Sequence, residues 1–246
     1  MEPPNYCDVT AVPFPVSRLL ENTSITLPYE LSKKNCSRVI GSCNGLVCLL
    51  GLEYSSTTLS LNIWLRFWNP ATRIISEKLG SYNQPRQHYK RLRCTFGYDN
   101  STHTYKVVAF NSREIKVFTL GDNNWRNIQS LPVVPFDNTF IIFSCHLNDG
   151  VHLNGTINWL SFQNNVQDSE TLEILDYINI EKFVIISLDL ATEAYRQIFP
   201  PRGFHELVRV VAPTIAVLMD SLYFSYHYEG THFVTWKMTE FGVEQS

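Results

Sequence analysis

The stretch Gly41-Ser42-Cys43-Asn44-Gly45 is where this 246-residue chain comes nearest to a nucleophile motif. A Gly-x-Ser-x-Gly elbow holds its serine on a strained turn between a strand and a helix. Here Ser42 stands second, Cys43 takes the centre, and Leu46–Leu50 continues as a β-prone run. The segment therefore reads as a turn, with Gly41 and Gly45 giving backbone freedom and Cys43 packing as a small hydrophobe. Metal chemistry has as little to build on. His146 and His152 are six apart and His227 and His232 five apart, with no Cys-x-x-Cys or His-Glu-x-x-His grouping. Cys43 and Cys48, an odd number of residues apart, would face opposite sides of one strand. The sequence has no Gly-rich phosphate loop, and paired carboxylates for sugar chemistry are defined by their separation in space rather than along the chain. The expectation is a chain with no catalytic residue, no metal and no cofactor.

Recognition chemistry is better represented. Arg86-Gln87-His88-Tyr89-Lys90-Arg91-Leu92-Arg93 is the one notable charge run, with four cations around Tyr89. Such a run meets an acidic partner or single-stranded nucleic acid, or is a solvated loop. A formal net charge of −3 and a pI near 6.2 favour a protein over a phosphate backbone. The candidate partner-binding residues are Arg86, His88, Tyr89, Arg91 and Arg93, together with Tyr226, His227 and Tyr228 of an aromatic run near His232. Glu53-Tyr54-Ser55-Ser56 and residues 164–170 read as neighbouring loops of similar standing, since binding residues concentrate on loops and Tyr and Arg are frequent anchors. Trp68, Trp125, Trp159 and Trp236 each begin or end an apolar run and are expected in the core.

The elements that would carry these loops are strands. Leu46–Leu50, Leu61–Trp68, Tyr105–Phe110, Ile115–Leu120, Phe140–Ser144, Thr156–Phe162, Phe183–Leu188 and Leu222–Tyr226 are rich in β-branched and aromatic residues and are bounded by Asn, Asp, Gly and Pro. Gly121-Asp122-Asn123-Asn124 and Asn69-Pro70-Ala71-Thr72 read as reversals. Leu172–Phe183 fits a helix and a strand equally. Residues 1–38 form a proline-rich irregular leader, and residues 39–246 the domain. Within it, Asn44-Gly45, Asn154-Gly155 and Asp220-Ser221 each precede a strand, and three strand-reversal-restart units follow Trp68, Thr119 and Leu188. Repetition of small sheets at tens of residues suggests propeller blades.

Composition sets the frame. Hydrophobic residues at 44% and charged residues at 17% suit a folded chain. The longest nearly apolar stretch, Val210–Met219, is too short to span a bilayer, and the start lacks the features of a signal peptide. The expected location is cytoplasmic or nuclear, with the six cysteines reduced and mostly buried. The four Asn-x-Ser/Thr matches would matter only on a secretory route.

The order Gly41-Ser42-Cys43-Asn44-Gly45-Leu46-Val47-Cys48-Leu49, Trp68-Asn69-Pro70-Ala71-Thr72-Arg73, Phe96-Gly97-Tyr98-Asp99 and Tyr105-Lys106-Val107-Val108 resembles the F-box-associated interaction domain of plant F-box proteins. Val117-Phe118, Asn124-Trp125-Arg126, Leu153–Leu160, Ile186–Leu190 and Val234–Met238 continue that order. The resemblance implies an all-β, kelch-like β-propeller that captures a target protein, while an F-box docks on the Skp adaptor of a cullin-based ubiquitin ligase. Residues 1–38 show no F-box pattern, so the adaptor and the cullin are expected partners only if an F-box lies upstream. The propeller is expected to be incomplete, since family members continue beyond Val243-Glu244-Gln245-Ser246. The reading is a non-catalytic interaction module with an unknown target. A propeller enzyme or carbohydrate-binding protein using Cys43 or a His/Asp constellation, or a fragment without function, stands as the alternative.

Overall fold

The computed structural model describes residues 36–55, 57–85, 92–110, 114–128, 149–162, 178–179, 183–199, 207–208, 213–228 and 232–238. The chain divides into two compact units, residues 1–90 and 91–246, and all its regular elements among the described residues are strands.

The first unit holds β1 (Cys36–Cys43), β2 (Leu46–Ser55), β3 (Ser60–Asn69), β4 (Ile74–Ile75) and β5 (Leu79–Pro85). They form an antiparallel meander, with β4 and β5 sharing the far edge of β3. Alternation assigns the faces. Leu61, Ile63, Leu65 and Phe67 of β3 lie on one side, Trp64 and Trp68 on the other, and all six are buried. Trp68 packs with Cys36 and Leu49. Trp64 faces Gly51 across the ladder, and an added Cβ there would sit 2.2 Å from the indole.

The second unit repeats the meander. β6 (Arg93–Asp99), β7 (Thr104–Phe110), β8 (Ile115–Thr119) and β9 (Trp125–Ile128) make one sheet. β10 (Val151–Leu153), β11 (Thr156–Phe162), β13 (Phe183–Asp189) and β14 (Tyr195–Ile198) make the next, and β16 (Thr214–Leu218), β17 (Ser221–Tyr228) and β18 (His232–Lys237) a third. The short pair β12 (Ile178–Asn179) and β15 (Leu207–Val208) lies beside them in the chain. The sheets stack face to face. Val108, Phe110 and Val117 pack on Trp159, Val184 and Ile186, with the Phe110 and Trp159 rings stacked at 5.1 Å. The opposite face of the middle sheet, Leu160, Phe183 and Ile185, packs on Leu222, Phe224 and Tyr226. Small antiparallel meanders, each covered by the next, are the construction of a β-propeller, and the fold is all-β and propeller-like.

Most expected strands are present, with bounds moved by a few residues. Phe140–Ser144 lies outside the described residues, as does Leu172–Phe183 except for β12 and the first residue of β13. Trp68 and Trp159 are buried, whereas Trp125 and Trp236 are only partly so. Cys36, Cys48 and Cys94 are buried and Cys43 is half-buried, with burial raising the thiol pKa of Cys43. Cys43 and Cys48 sit on adjacent strands, because the Asn44-Gly45 turn separates them.

One repeat needs a shift of register. Asn44 and Gly45, and Asn154 and Gly155, have φ of 48° and 77°, and 48° and 78°, the paired positive values of a two-residue hairpin turn. The third copy is Met219-Asp220, at 46° and 55°. Ser221 already pairs with Leu218, so Asp220-Ser221 is one residue late.

Candidate functional site

In each meander the first-to-second connection, and the third-to-fourth where a fourth strand is present, leaves from one end of the sheet, and the second-to-third connection from the other. The two ends differ in chemistry. At the first end three of the connections are short Asx-capped loops. Asn69 Oδ1 accepts from the Ala71 and Thr72 N–H groups, Asp99 Oδ1 from Ser101 and Thr102, and Asp189 Oδ1 from Ala191 and Thr192. Four residues after each acceptor, Arg73, His103 and Glu193 take φ of 62°, 55° and 57°. Asx capping followed by a left-handed residue is thus one repeated loop.

In the second unit this end is knitted across two sheets. Lys106 Nζ donates to Asp99 Oδ2 at 2.8 Å and to Leu190 O at 2.5 Å, so a cation of the β6–β9 sheet is anchored on the β10–β14 sheet. Asp99 is 1% and Lys106 7% exposed. Burial alone would raise the Asp99 carboxyl, yet hydrogen bonds from Lys106, Ser101 and Thr102 hold it well below the usual carboxylate range. Thr95 Oγ1 donates to Asp149 O, and Arg126 makes a bidentate pair with Glu193. His152 lies against Gly97, where a Cβ would be 2.5 Å from the ring. These contacts explain physically why Phe96-Gly97-Tyr98-Asp99 needs its glycine and its acid.

His152 adds a pH dependence. With the ring neutral, Nε2 accepts the Tyr98 N–H at 3.2 Å; protonation removes that acceptor and turns an N–H toward Tyr98 O, 3.1 Å away. Burial lowers the His152 pKa from its ordinary 6.5, with the Tyr98 hydrogen bond opposing in part. The folded state therefore binds this proton less readily than the unfolded chain. Its contribution is fully present above pH ~6.5 and is lost as pH falls below. Urea denaturation between pH 7.5 and 5.5 should show stability falling with acidification, and His152→Gln should flatten that slope. An unchanged slope in the variant would refute the assignment.

Some of the sequence-predicted loop residues stand at the second end of their own sheet. Glu53, Tyr54 and Ser55 close β2 there, and Leu59, at φ 49° and 65% exposed, closes the same connection. β5 ends at Pro85, opposite Ser60, and β6 starts at Arg93, opposite Phe110. Arg93 is half-buried at the head of β6. Arg86, His88, Tyr89 and Arg91, like residues 164–170, lie outside the described residues.

On the third sheet the aromatic run divides by parity. His227 is exposed and its ring meets Phe233 edge-on at 5.2 Å; Tyr228 pairs with His232 along the backbone. Tyr226 is the correction. It is 2% exposed and belongs to the core with Phe224 and Leu160, because even-numbered β17 residues face the neighbouring sheet. Phe233, 62% exposed, takes its place as the surface aromatic. Sequence reasoning missed Leu59 and Phe233, since each reads as an ordinary strand hydrophobe until its face is known. Among the described residues no three His, Cys, Asp or Glu side chains gather closely enough to hold a metal ion.

Comparison with known proteins agrees with this architecture. An F-box/kelch-repeat protein of Arabidopsis thaliana is 24% identical over 223 residues, covering 87% of this chain. The chain spans about half, 52%, of that relative's length. Residues 12–200 match the family model described as the F-box associated beta propeller domain, which is the family to which this chain belongs.

Proposed function

We propose that the chain is a non-catalytic recognition module that holds a target protein on its loops, as the substrate-recognition part of a ubiquitin-ligase receptor. The carrying observation lies within the second unit: the first two sheets are tied together by Asx caps and the Asp99–Lys106–Leu190 bridge, while the β17–β18 connection presents the exposed His227–Phe233 ring pair. Rigid sheets with recognition residues at one edge suit capture. Proximity is the whole mechanism: a target held there is presented to an enzyme bound elsewhere. Family membership supports the ligase context, with a Skp adaptor and a cullin as partners only where an F-box is joined to the module.

The test is affinity capture from plant extract with the full chain. A specific protein should be recovered, and Tyr89→Ala with Arg91→Ala, or His227→Ala with Phe233→Ala, should cut its recovery at least ~10-fold, as for anchor residues. Both pairs should leave Tm within a few degrees. Specific partners retained by both variants would overturn the loop assignment.

A further inference from the structure

We propose that Leu218 and Met219, at the tip of the β16–β17 hairpin, form a second docking point, which seats in an apolar pocket of a partner protein with a cation on its rim. This point is independent of the loop reading, because the tip lies at the opposite end of its sheet from the 229–231 connection. Three equivalent hairpins supply an internal control. The β1–β2 and β10–β11 turns use Asn-Gly, the pair best suited to two positive φ values. The β16–β17 turn places Met219 and Asp220 in the same left-handed geometry, where an unbranched apolar side chain has no local hydrogen bond to offset the crowding. The residue ahead of the turn diverges likewise: Leu153 is 4% exposed and packs in the core, Leu218 is 57% exposed, and Met219 is 92% exposed. Turn geometry and burial both favour Asn-Gly here, so the tip sequence works against stability, which points to a use in recognition.

The partner's chemistry follows from the tip. A convex pair of aliphatic and thioether side chains fits a concave apolar pocket, and methionine adapts to irregular walls. Asp220 carries the one charge between Pro213 and Ser225. Among the described residues no cation pairs with it, so a Lys or Arg at the pocket rim is its complement.

The full chain carrying a benzophenone photo-crosslinker at Ser221 is irradiated in plant extract, and the adducted peptide is sequenced. A single adduct is expected, at a site with aliphatic side chains and a Lys or Arg. Leu218→Thr and Asp220→Lys should each weaken it at least 10-fold. Met219→Asn with Asp220→Gly should abolish it while raising Tm by about 3 °C, as relief of turn strain. Adducts scattered over many proteins, a polar adduct site, indifference to Asp220→Lys, or a Tm that does not rise would each overturn the proposal.

Discussion

Lys106→Met is expected to destabilise the 91–246 unit by about 3–5 kcal/mol, the effect of leaving a buried carboxylate without its cation. At that size Tm falls by roughly 10 °C. Asp99 is 1% exposed, so water cannot replace the ammonium, and Leu190 O loses its donor in the same step. The neutral double replacement Asp99→Asn with Lys106→Met should cost less than the single change, because it removes the charge that burial penalises. Acid gives an independent check. The Asp99 carboxyl is held low in the folded protein, so its contribution is present above the ordinary carboxylate pKa and is lost as pH falls through and below that range. In Lys106→Met the same carboxyl keeps its Ser101 and Thr102 hydrogen bonds but loses the ammonium, so it takes up a proton at a higher pH than in the parent. The gap between the two proteins should therefore narrow as pH falls through the carboxylate range. Urea titrations showing a loss under ~0.5 kcal/mol, or a constant gap, would place Lys106 among ordinary surface lysines.

That bridge marks the limit of what the residue string discloses. Asp99 and Lys106 are seven apart and meet across a hairpin that turn residues announce, but Leu190 O lies eighty-four residues further on. Sheet-to-sheet contacts carry no local signal. The turns divide for a related reason. Asn44-Gly45 and Asn154-Gly155 are legible because those residue types tolerate positive φ, whereas Met219 does not announce a turn and the polar pair beside it, Asp220-Ser221, does. Tyr226 was within reach of the sequence. Leu222, Phe224 and Tyr226 share one strand face by parity, and a face that begins with Leu and Phe is a core face; the strand's exposed member is His227. What parity could not supply is Phe233, since its exposure depends on which side of β17 the neighbouring sheet covers.

In the first unit, Gly51→Ala should cost about 3 kcal/mol, the upper part of the range for forcing extra volume into a packed site. The demand is for space. Gly51 and Trp64 are directly opposed on β2 and β3, and a Cβ would lie 2.2 Å from both Cε2 and Nε1 of the indole. Trp64 is fully buried and its ring is capped by Lys78, whose Nζ stands 3.8 Å from the centroid and 3.8 Å from Glu53. The ring cannot tilt toward Lys78 without displacing that lysine. Trp64→Leu makes room but forfeits the indole's packing, so it too should destabilise. Combined, the two changes should be less damaging than their sum by about 1–3 kcal/mol, the signature of residues in direct contact. Tryptophan fluorescence offers a second readout, because a displaced Trp64 in Gly51→Ala gains solvent and its emission shifts to the red. Strict additivity in the double variant, with unshifted emission in Gly51→Ala, would mean that the close approach of Gly51 to Trp64 does not decide how β2 and β3 pack.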